Sequence, residues 1–423
     1  MKLLGRFKWH ILLLCGLVGP TLVYVLFYGF MDHENRENRE LAQNPLTMED
    51  TTIANLPERL EAYYEDHLPL KNELTETKSK VALGFFGEST NPQVVVGKDG
   101  WLFFNGVEHG DPLGDYQGQL LFTEEEGARI ASYFNAANEY FQYRGIQLII
   151  AIVPGKERVY PEYLPDSYGD PQYGRGAQMY DYLTLNCPGI PIVSETDLLK
   201  NYADSHEELI SFKTDTHWNH LGAYLAAKDI LSYAGMELPE VSKEYLQEFD
   251  PGGGDLSDML GLDPSTVSDV DYELTGPLSF PYLTKEGEEM SQVYYTSASD
   301  SGKKAFVFGD SMSIILSEEL AGHFTELCYY RRWGNNTENY WESLERMRPD
   351  VLIYETSDRY LDQAGILANP LRIPGFYAQH PELEFGSAGP EVQADPVDPG
   401  AQVDPAAQAD PAVQVDPAAQ PVQ

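Results

Sequence analysis

The chain has 423 residues, enough for one large domain with appendages or for two domains. Its 28 lysines and arginines stand against 67 aspartates and glutamates, a formal charge of -39, so phosphate backbones are repelled and nucleic acid is excluded as a partner. The acidity reads first as the means by which an exported protein stays soluble.

Lys2, Arg6 and Lys8 precede an apolar run from about Ile11 to Met31, and Asp32, Glu34, Glu37 and Glu40 follow it. About 20 apolar residues in helix match the hydrocarbon thickness of a bilayer, and the basic flank stays on the cytoplasmic side. Residues 1–31 therefore read as a transmembrane signal anchor, which puts the rest of a single-pass protein of the cell membrane outside the cytoplasm. A cleaved signal peptide is the competing reading, but no small-x-small cleavage site follows the run.

Residues 32–90 read as a helical neck. Apolar residues recur there at helical spacing through Leu60, Tyr64, Leu68 and Leu74, and Pro69 should kink or divide it. From 91 to 393 the pattern is that of an α/β domain with a doubly wound parallel sheet. Buried strands are expected at about 146–153, 190–193, 305–309, 326–330 and 351–355. Helices are expected at about 123–144, 176–186, 219–235, 313–322 and 337–347. Between 236 and 304 the alternation breaks into short polar segments, an insertion placed to shape a groove. Residues 394–423 repeat Asp-Pro with Ala, Gln and Val, hold no aromatic residue and cannot form a core, so they read as a disordered tail. Of the three cysteines, Cys15 lies in the apolar run, and for Cys187 and Cys328 a bridge and two buried thiols are both open.

Two short stretches carry candidate chemistry. In KKAFVFGDSMS a strand runs directly into a helix, which puts Ser311 at a strand-to-helix corner, with the backbone N–H groups of Ser311 and Met312 as oxyanion donors. The alternative is that Asp310 or Ser311 simply caps the helix. In FKTDTHWNHLGAY, Asp215 and His217 stand two apart before a helix, on one side of an extended segment. A carboxylate so placed can hold one imidazole nitrogen and leave the other to deprotonate a serine; a buried histidine satisfied by its neighbour is the plainer alternative. No further His, Cys or Asp at ligand spacing accompanies them, so no metal and no cofactor is expected, and His220 reads as structural or exposed. Arg331, Arg332 and Arg359 are substrate candidates, with solvated surface arginines the commoner case, and Trp101, Trp218 and Trp333 could stack on sugar rings, although most large aromatics pack in cores.

The motifs ENRELAQNP, EAYYEDHLPLKN, VVVGKDGWLFF, VPGKERVYPEYLP, DTHWNHLGAY, GGDLSDMLGL, VFGDSMS and YETSDRYL together resemble the SGNH-hydrolase-like family that includes the DHHW proteins and the O-acetyltransferases of alginate export. The resemblance covers most of the chain. It implies Ser311 as nucleophile, His217 as base and Asp215 as the orienting acid, in a permuted order with the serine last. Thr216-His217 stands where DHHW members carry two histidines, as in the alginate type, and the strand before Arg331 lacks the family's usual acidic residue. The resemblance implies an extracytoplasmic O-acyltransferase, acetyl being the acyl group, acting on a polysaccharide and supplied by a multi-spanning membrane acyltransferase. A carbohydrate esterase with the same triad and a non-catalytic glycan-binding or assembly protein are the alternatives.

Overall fold

The structure, a computed structural model, describes residues 41–48, 51–67, 71–333 and 340–361, with Gly19, Leu22, Leu26 and Ile366 besides. The apolar run read as an anchor, Pro69 and the Asp-Pro tail lie outside these residues but for those isolated positions. Among the described residues no helix is long and apolar enough to cross a membrane.

The helices in chain order are α1 (Leu56–Asp66), α2 (Lys71–Val81), α3 (Pro112–Tyr116), α4 (Glu124–Tyr143), α5 (Lys156–Val159), α6 (Arg175–Asn186), α7 (Glu195–Ser205), α8 (His220–Tyr233), α9 (Asp255–Met259), α10 (Ser313–Ala321) and α11 (Tyr340–Met347). The strands are β1 (Val94–Val96), β2 (Leu102–Phe104), β3 (Gln147–Val153), β4 (Ile192–Ser194), β5 (Leu246–Phe249), β6 (Asp271–Leu274), β7 (Tyr282–Glu288), β8 (Gln292–Ser297), β9 (Lys304–Gly309), β10 (Glu326–Arg331) and β11 (Val351–Ser357).

Seven strands form the central sheet in the order β4-β3-β11-β9-β10-β8-β7. The first five run parallel, while β8 pairs antiparallel with β10 and β7 with β8. The sheet is therefore mixed, which corrects the all-parallel expectation. The hairpin that changes it comes from the polar stretch 236–304. Its outermost strand β7 is exposed along nearly its whole length, so it lacks the continuous apolar signature of a buried parallel strand.

Alternate residues of the parallel strands feed two cores. Ile149, Ala151, Val153, Val307 and Ile353 pack against α8 and α10, whereas Leu148, Ile150, Ile152, Phe306 and Leu352 pack against α4, α6 and α11. This two-faced burial makes β3, β9 and the first four residues of β11 read as apolar runs. Helix α4 begins at a capping box, with Thr123 and Glu126 satisfying each other's backbone N–H groups, and the Asn219 side chain caps α8. Cys187 and Cys328 are both buried free thiols.

A second polar cluster ties β6 to α8 and α10. His220 Nδ1 bonds Asp271 Oδ2 at 2.8 Å and Nε2 bonds Glu318 Oε2 at 3.3 Å, while Lys285 Nζ reaches Glu318 at 2.6 Å. Burial alone would lower the imidazole pKa, but the Asp271 and Glu318 hydrogen bonds outweigh it and raise it from 6.5 to about 10. The folded state then holds this proton more tightly than the unfolded chain. The stabilisation is complete below about pH 6.5 and is lost as pH rises toward about 10, a change on the order of a few kcal/mol. Thermal melts between pH 6 and 10 should therefore show wild-type stability falling and a His220→Asn variant following a flatter curve. Parallel curves would remove His220 as the cause.

Candidate functional site

The carboxyl ends of β3, β11 and β9 lie side by side, the position where open α/β sheets form their crevices. Beyond β9 the chain turns at Asp310 and Ser311 and enters α10. Asp310 ties this turn together rather than capping the helix, whose cap position is Met312. The Asp310 Oδ1 accepts from the Met312 N–H at 3.0 Å, and its Oδ2 accepts from the Ser357 N–H at 2.8 Å and the Ser357 hydroxyl at 2.7 Å. The Glu355 carboxylate accepts from the Asp310 N–H at 3.0 Å and from the Ser313 hydroxyl at 2.6 Å. Burial, and after it the Asp310 charge, raises the Glu355 pKa well above the ordinary carboxylate range. The corner is thus fastened to the end of β11 by two carboxyl groups.

Ser311 is buried, and its Oγ makes no hydrogen bond among the described residues. Because the Met312 N–H is taken by Asp310, the expectation that Met312 supplies an oxyanion donor is corrected. Ser311 N–H is the backbone donor left at this corner.

Asp215 and His217 precede α8. His217 Nδ1 bonds Asp215 Oδ1 at 2.6 Å, and the same oxygen accepts the His217 N–H at 2.8 Å. Burial would raise the Asp215 pKa, but the His217 charge and hydrogen bond and the Asp255 and His217 backbone N–H groups hold it below its ordinary value. The Trp218 indole N–H then donates to the Met312 carbonyl at 3.1 Å, joining the histidine loop to the serine corner. Trp218 and Trp101 are buried in the core, the usual place for large aromatics, and so are not sugar platforms.

Sequence reasoning missed the residues that shape the loop. Lys156, buried, donates its ammonium to the carbonyls of Phe212, Lys213 and Asp215 at 3.0, 2.8 and 2.7 Å. Its Nζ stands 5.4 Å from the ring centres of Trp101 and Phe103. Burial lowers its pKa to about 8 against the pull of Asp255, Asp269 and Asp215. Asp269 accepts the N–H groups of Lys213 and Thr214, both at 2.8 Å. Asp255 accepts the Thr216 N–H at 2.7 Å and the Thr216 hydroxyl, and donates its own N–H to Asp215 Oδ2 at 2.9 Å. The stretch expected to shape a groove thus supplies two carboxylates that brace the Asp215–His217 loop.

Asp255 also corrects the expectation that no third ligand type accompanies the pair: ligand atoms of Asp215, His217 and Asp255 lie within 4.8 Å of one another. The 2.6 Å separation of Nδ1 and Oδ1 is that of a hydrogen bond, whereas two ligands of one tetrahedral zinc, each about 2.0–2.1 Å from the ion, stand roughly 3.3 Å apart. The geometry is that of an imidazole oriented by a carboxylate.

A small cavity of about 30 Å³ opens beside the corner, lined among others by Thr216, Met312, Phe104, Glu157, Asp358 and Arg359. Of the three candidate arginines, Arg359 alone lines it. The Arg332 guanidinium lies over Trp333 and Tyr354, 4.3 and 4.7 Å from their ring centres. Arg331 ends β10 opposite Gly309 and hydrogen-bonds the Tyr329 hydroxyl, which itself donates to the Asp310 carbonyl at 2.9 Å. Arg331 and Arg332 are buried supports of the corner rather than surface arginines. A charged residue inside an otherwise apolar strand, as Glu355 is in VLIYETS, was the signal that could have found these groups.

Residues 94–273 match the family model described as "SGNH hydrolase-like domain, acetyltransferase AlgX". The segment is similar to this SGNH-hydrolase-like family, the likeness that the motifs of the chain imply. The matched segment contains Lys156, Asp215, His217, Asp255 and Asp269 and ends before Ser311. The "Probable alginate O-acetylase AlgJ" of Pseudomonas syringae pv. tomato is 27% identical over 229 residues, 52% of this chain and 54% of that protein. The protein of the same name from Pseudomonas aeruginosa is 31% identical over 187 residues, 42% of this chain and 43% of that one. That of Pseudomonas fluorescens is 28% identical over 341 residues, 74% and 80%. The chain spans about half the length of the first of these relatives. Among solved structures, the O-acetyltransferase domain of Pseudomonas putida AlgJ aligns with a TM-score of 0.42 at 19% identity, over 69% of this chain and 99% of that one. A DHHW family protein from Eubacterium siraeum aligns with a TM-score of 0.45 at 17% identity, over 67% and 100%.

Gly254 tests how the Asp215 carboxylate is held. A side-chain carbon there would collide with the Asp215 side chain, at a cost of about 1–3 kcal/mol if the fold absorbs it. Gly254→Ala should fold but displace Asp215, and the low-field proton resonance of the His217 Nδ1–H should vanish. A folded variant that keeps this resonance would show that the 254 backbone does not position the pair.

Proposed function

We propose that this protein transfers an acyl group, acetyl in the first instance, to hydroxyls of a cell-surface or exported polysaccharide through an acyl-Ser311 intermediate. The observation that carries the reading is the Asp215–His217 hydrogen bond of 2.6 Å, joined through Trp218 to the Ser311 corner. The curated relatives, named as probable alginate O-acetylases, support the reaction and make a uronate polymer the first substrate to try.

With Nδ1 held by Asp215, Nε2 of His217 is the nitrogen that takes the Ser311 proton as Oγ attacks the acyl donor. The imidazolium returns that proton to the departing group, leaving acyl-Ser311. A sugar hydroxyl then attacks the acyl carbon, its proton passing to His217 and on to Ser311 Oγ as the ester bond to the serine breaks. The developing oxyanion is met by the Ser311 N–H. Water attacking the same intermediate gives the esterase outcome, so the two activities differ in the acceptor.

The apolar run at 11–31 supports an outward-facing protein of the cell membrane. There an acyl-CoA pool is absent, and a multi-spanning membrane acyltransferase is the natural acyl supplier. Residues 91–393 act as the catalytic domain, with 32–90 as its neck and 394–423 as a tail.

Ser311→Ala and His217→Ala should each abolish the burst of activated acetyl ester hydrolysis. Asp215→Asn should lower it on the order of 10⁴-fold without reaching zero, because the aspartate fixes the tautomer rather than carrying the proton. All three should retain wild-type circular dichroism, and a chelator should leave the wild-type burst unchanged. Wild-type rates in folded Ser311→Ala would exclude serine catalysis and favour a glycan-binding role, and loss on chelation would assign the Asp215, His217 and Asp255 group to a metal.

A further inference from the structure

Glu157 lines the cavity that Met312 and Thr216 also line, yet nothing in the triad chemistry uses it. It lies in the four-residue helix α5 after Lys156, is 5% exposed, and its Oε1 has no hydrogen-bond partner among the described residues. Its place exists because residue 155 is glycine: a side-chain carbon there would collide with Glu157 Oε1 and lie 2.7 Å from Oε2.

The groups around it are committed elsewhere or share its charge. Arg158 bonds the Asp115 carboxylate at 2.7 Å and the Asp115 carbonyl at 2.8 Å, and stands 3.3 Å from Asp358. Lys156 turns its ammonium to the 212–215 carbonyls. Asp358 accepts the Gly155 N–H, and Arg359 lies over the Phe104 and Tyr360 rings at 5.5 and 4.8 Å. Burial first, and the Asp358 charge second, raise the Glu157 pKa to about 7, with its own backbone N–H, Arg158 and Arg359 pulling the other way. A buried carboxyl oxygen without a hydrogen-bond partner, on a residue that lines a cavity, is costly to keep unless a ligand completes its hydrogen bonding.

We propose that Glu157 hydrogen-bonds a hydroxyl of the acceptor sugar and so holds the neighbouring, reacting hydroxyl against acyl-Ser311. A hydroxyl both donates and accepts, as does a carboxyl near its titration point, whereas an acetyl group presents only a carbonyl oxygen and a methyl. An anionic group at this point would meet Asp358 and Glu157 itself. Glu157 takes no proton in the reaction: the proton of the attacking hydroxyl passes to His217 and then to the departing Ser311 Oγ. The inference rests on the acyl-transfer reading and specifies which side chain selects sugar over water.

The test has two arms, both using an alginate oligosaccharide as probe. In the first, the wild type, Glu157→Gln and Glu157→Ala are acylated with p-nitrophenyl acetate, and the ratio of acetylated sugar to free acetate is measured. Glu157→Ala should lower that ratio by about 10-fold or more, the scale of one lost hydrogen bond to a polar partner, and Glu157→Gln should restore most of it. In the second, oligosaccharide binding is measured by calorimetry on Ser311→Ala with and without Glu157→Ala, where the second substitution should raise Kd by a similar factor. An unchanged product ratio together with an unchanged Kd, in folded variants, overturns the proposal. A Kd that rises while the wild type shows no burst upholds the Glu157 contact and instead sinks the acyl-serine reading.

Discussion

The buried Lys156 ammonium is the interaction on which the site depends. Three donated hydrogen bonds to the carbonyls of Phe212, Lys213 and Asp215 fix a loop that belongs to no helix or strand. An ammonium so deep in the protein is tolerable only where carboxylates compensate it. Asp215, Asp255 and Asp269 do so, and each also bonds a backbone N–H of the same neighbourhood. The charge of the lysine and the shape of the loop are therefore one constraint: a residue removed from either side leaves buried polar groups without partners.

The serine corner follows the same logic on the opposite side of the crevice. There the polypeptide turns from β9 into α10 under the hold of Asp310 and Glu355, with Ser357 and Ser313 as the hydroxyl partners. The Trp218 N–H to Met312 carbonyl bond closes the frame between the two halves. The acidity of the chain is thus not only a surface property: several of its carboxyl groups are buried and serve as backbone acceptors. Burial drives Glu355 and Glu157 above the usual carboxylate range, aided by the charges of Asp310 and Asp358 respectively, whereas the imidazole partner keeps Asp215 below it. Neighbouring carboxyls are in this way driven in opposite directions by their surroundings.

The buried parallel strands β3, β9, β10 and β11, the helices that cover them and the positions of Ser311, His217 and Asp215 were legible in the sequence, because local rules specify them. Apolar runs mark strands buried on both faces and the 3.6 period marks their helices; Asp215 and His217 meet not across an extended segment but in a bent loop, where the Asp215 carboxylate accepts the His217 N–H. The antiparallel hairpin β7–β8 was not legible, since an exposed edge strand carries no apolar signature. Nor were the distant partners of Asp215 and Asp310. Lys156 lies 59 positions from Asp215, Asp255 lies 40 from it, and Glu355 lies 45 from Asp310. No periodicity relates residues so far apart, and only the packing of β3, β9 and β11 side by side brings them together. The sequence by itself determined which side chains are the candidates for chemistry; the tertiary structure decided which buried charges hold them in place, because that depends on long-range proximity and desolvation that local pattern does not encode.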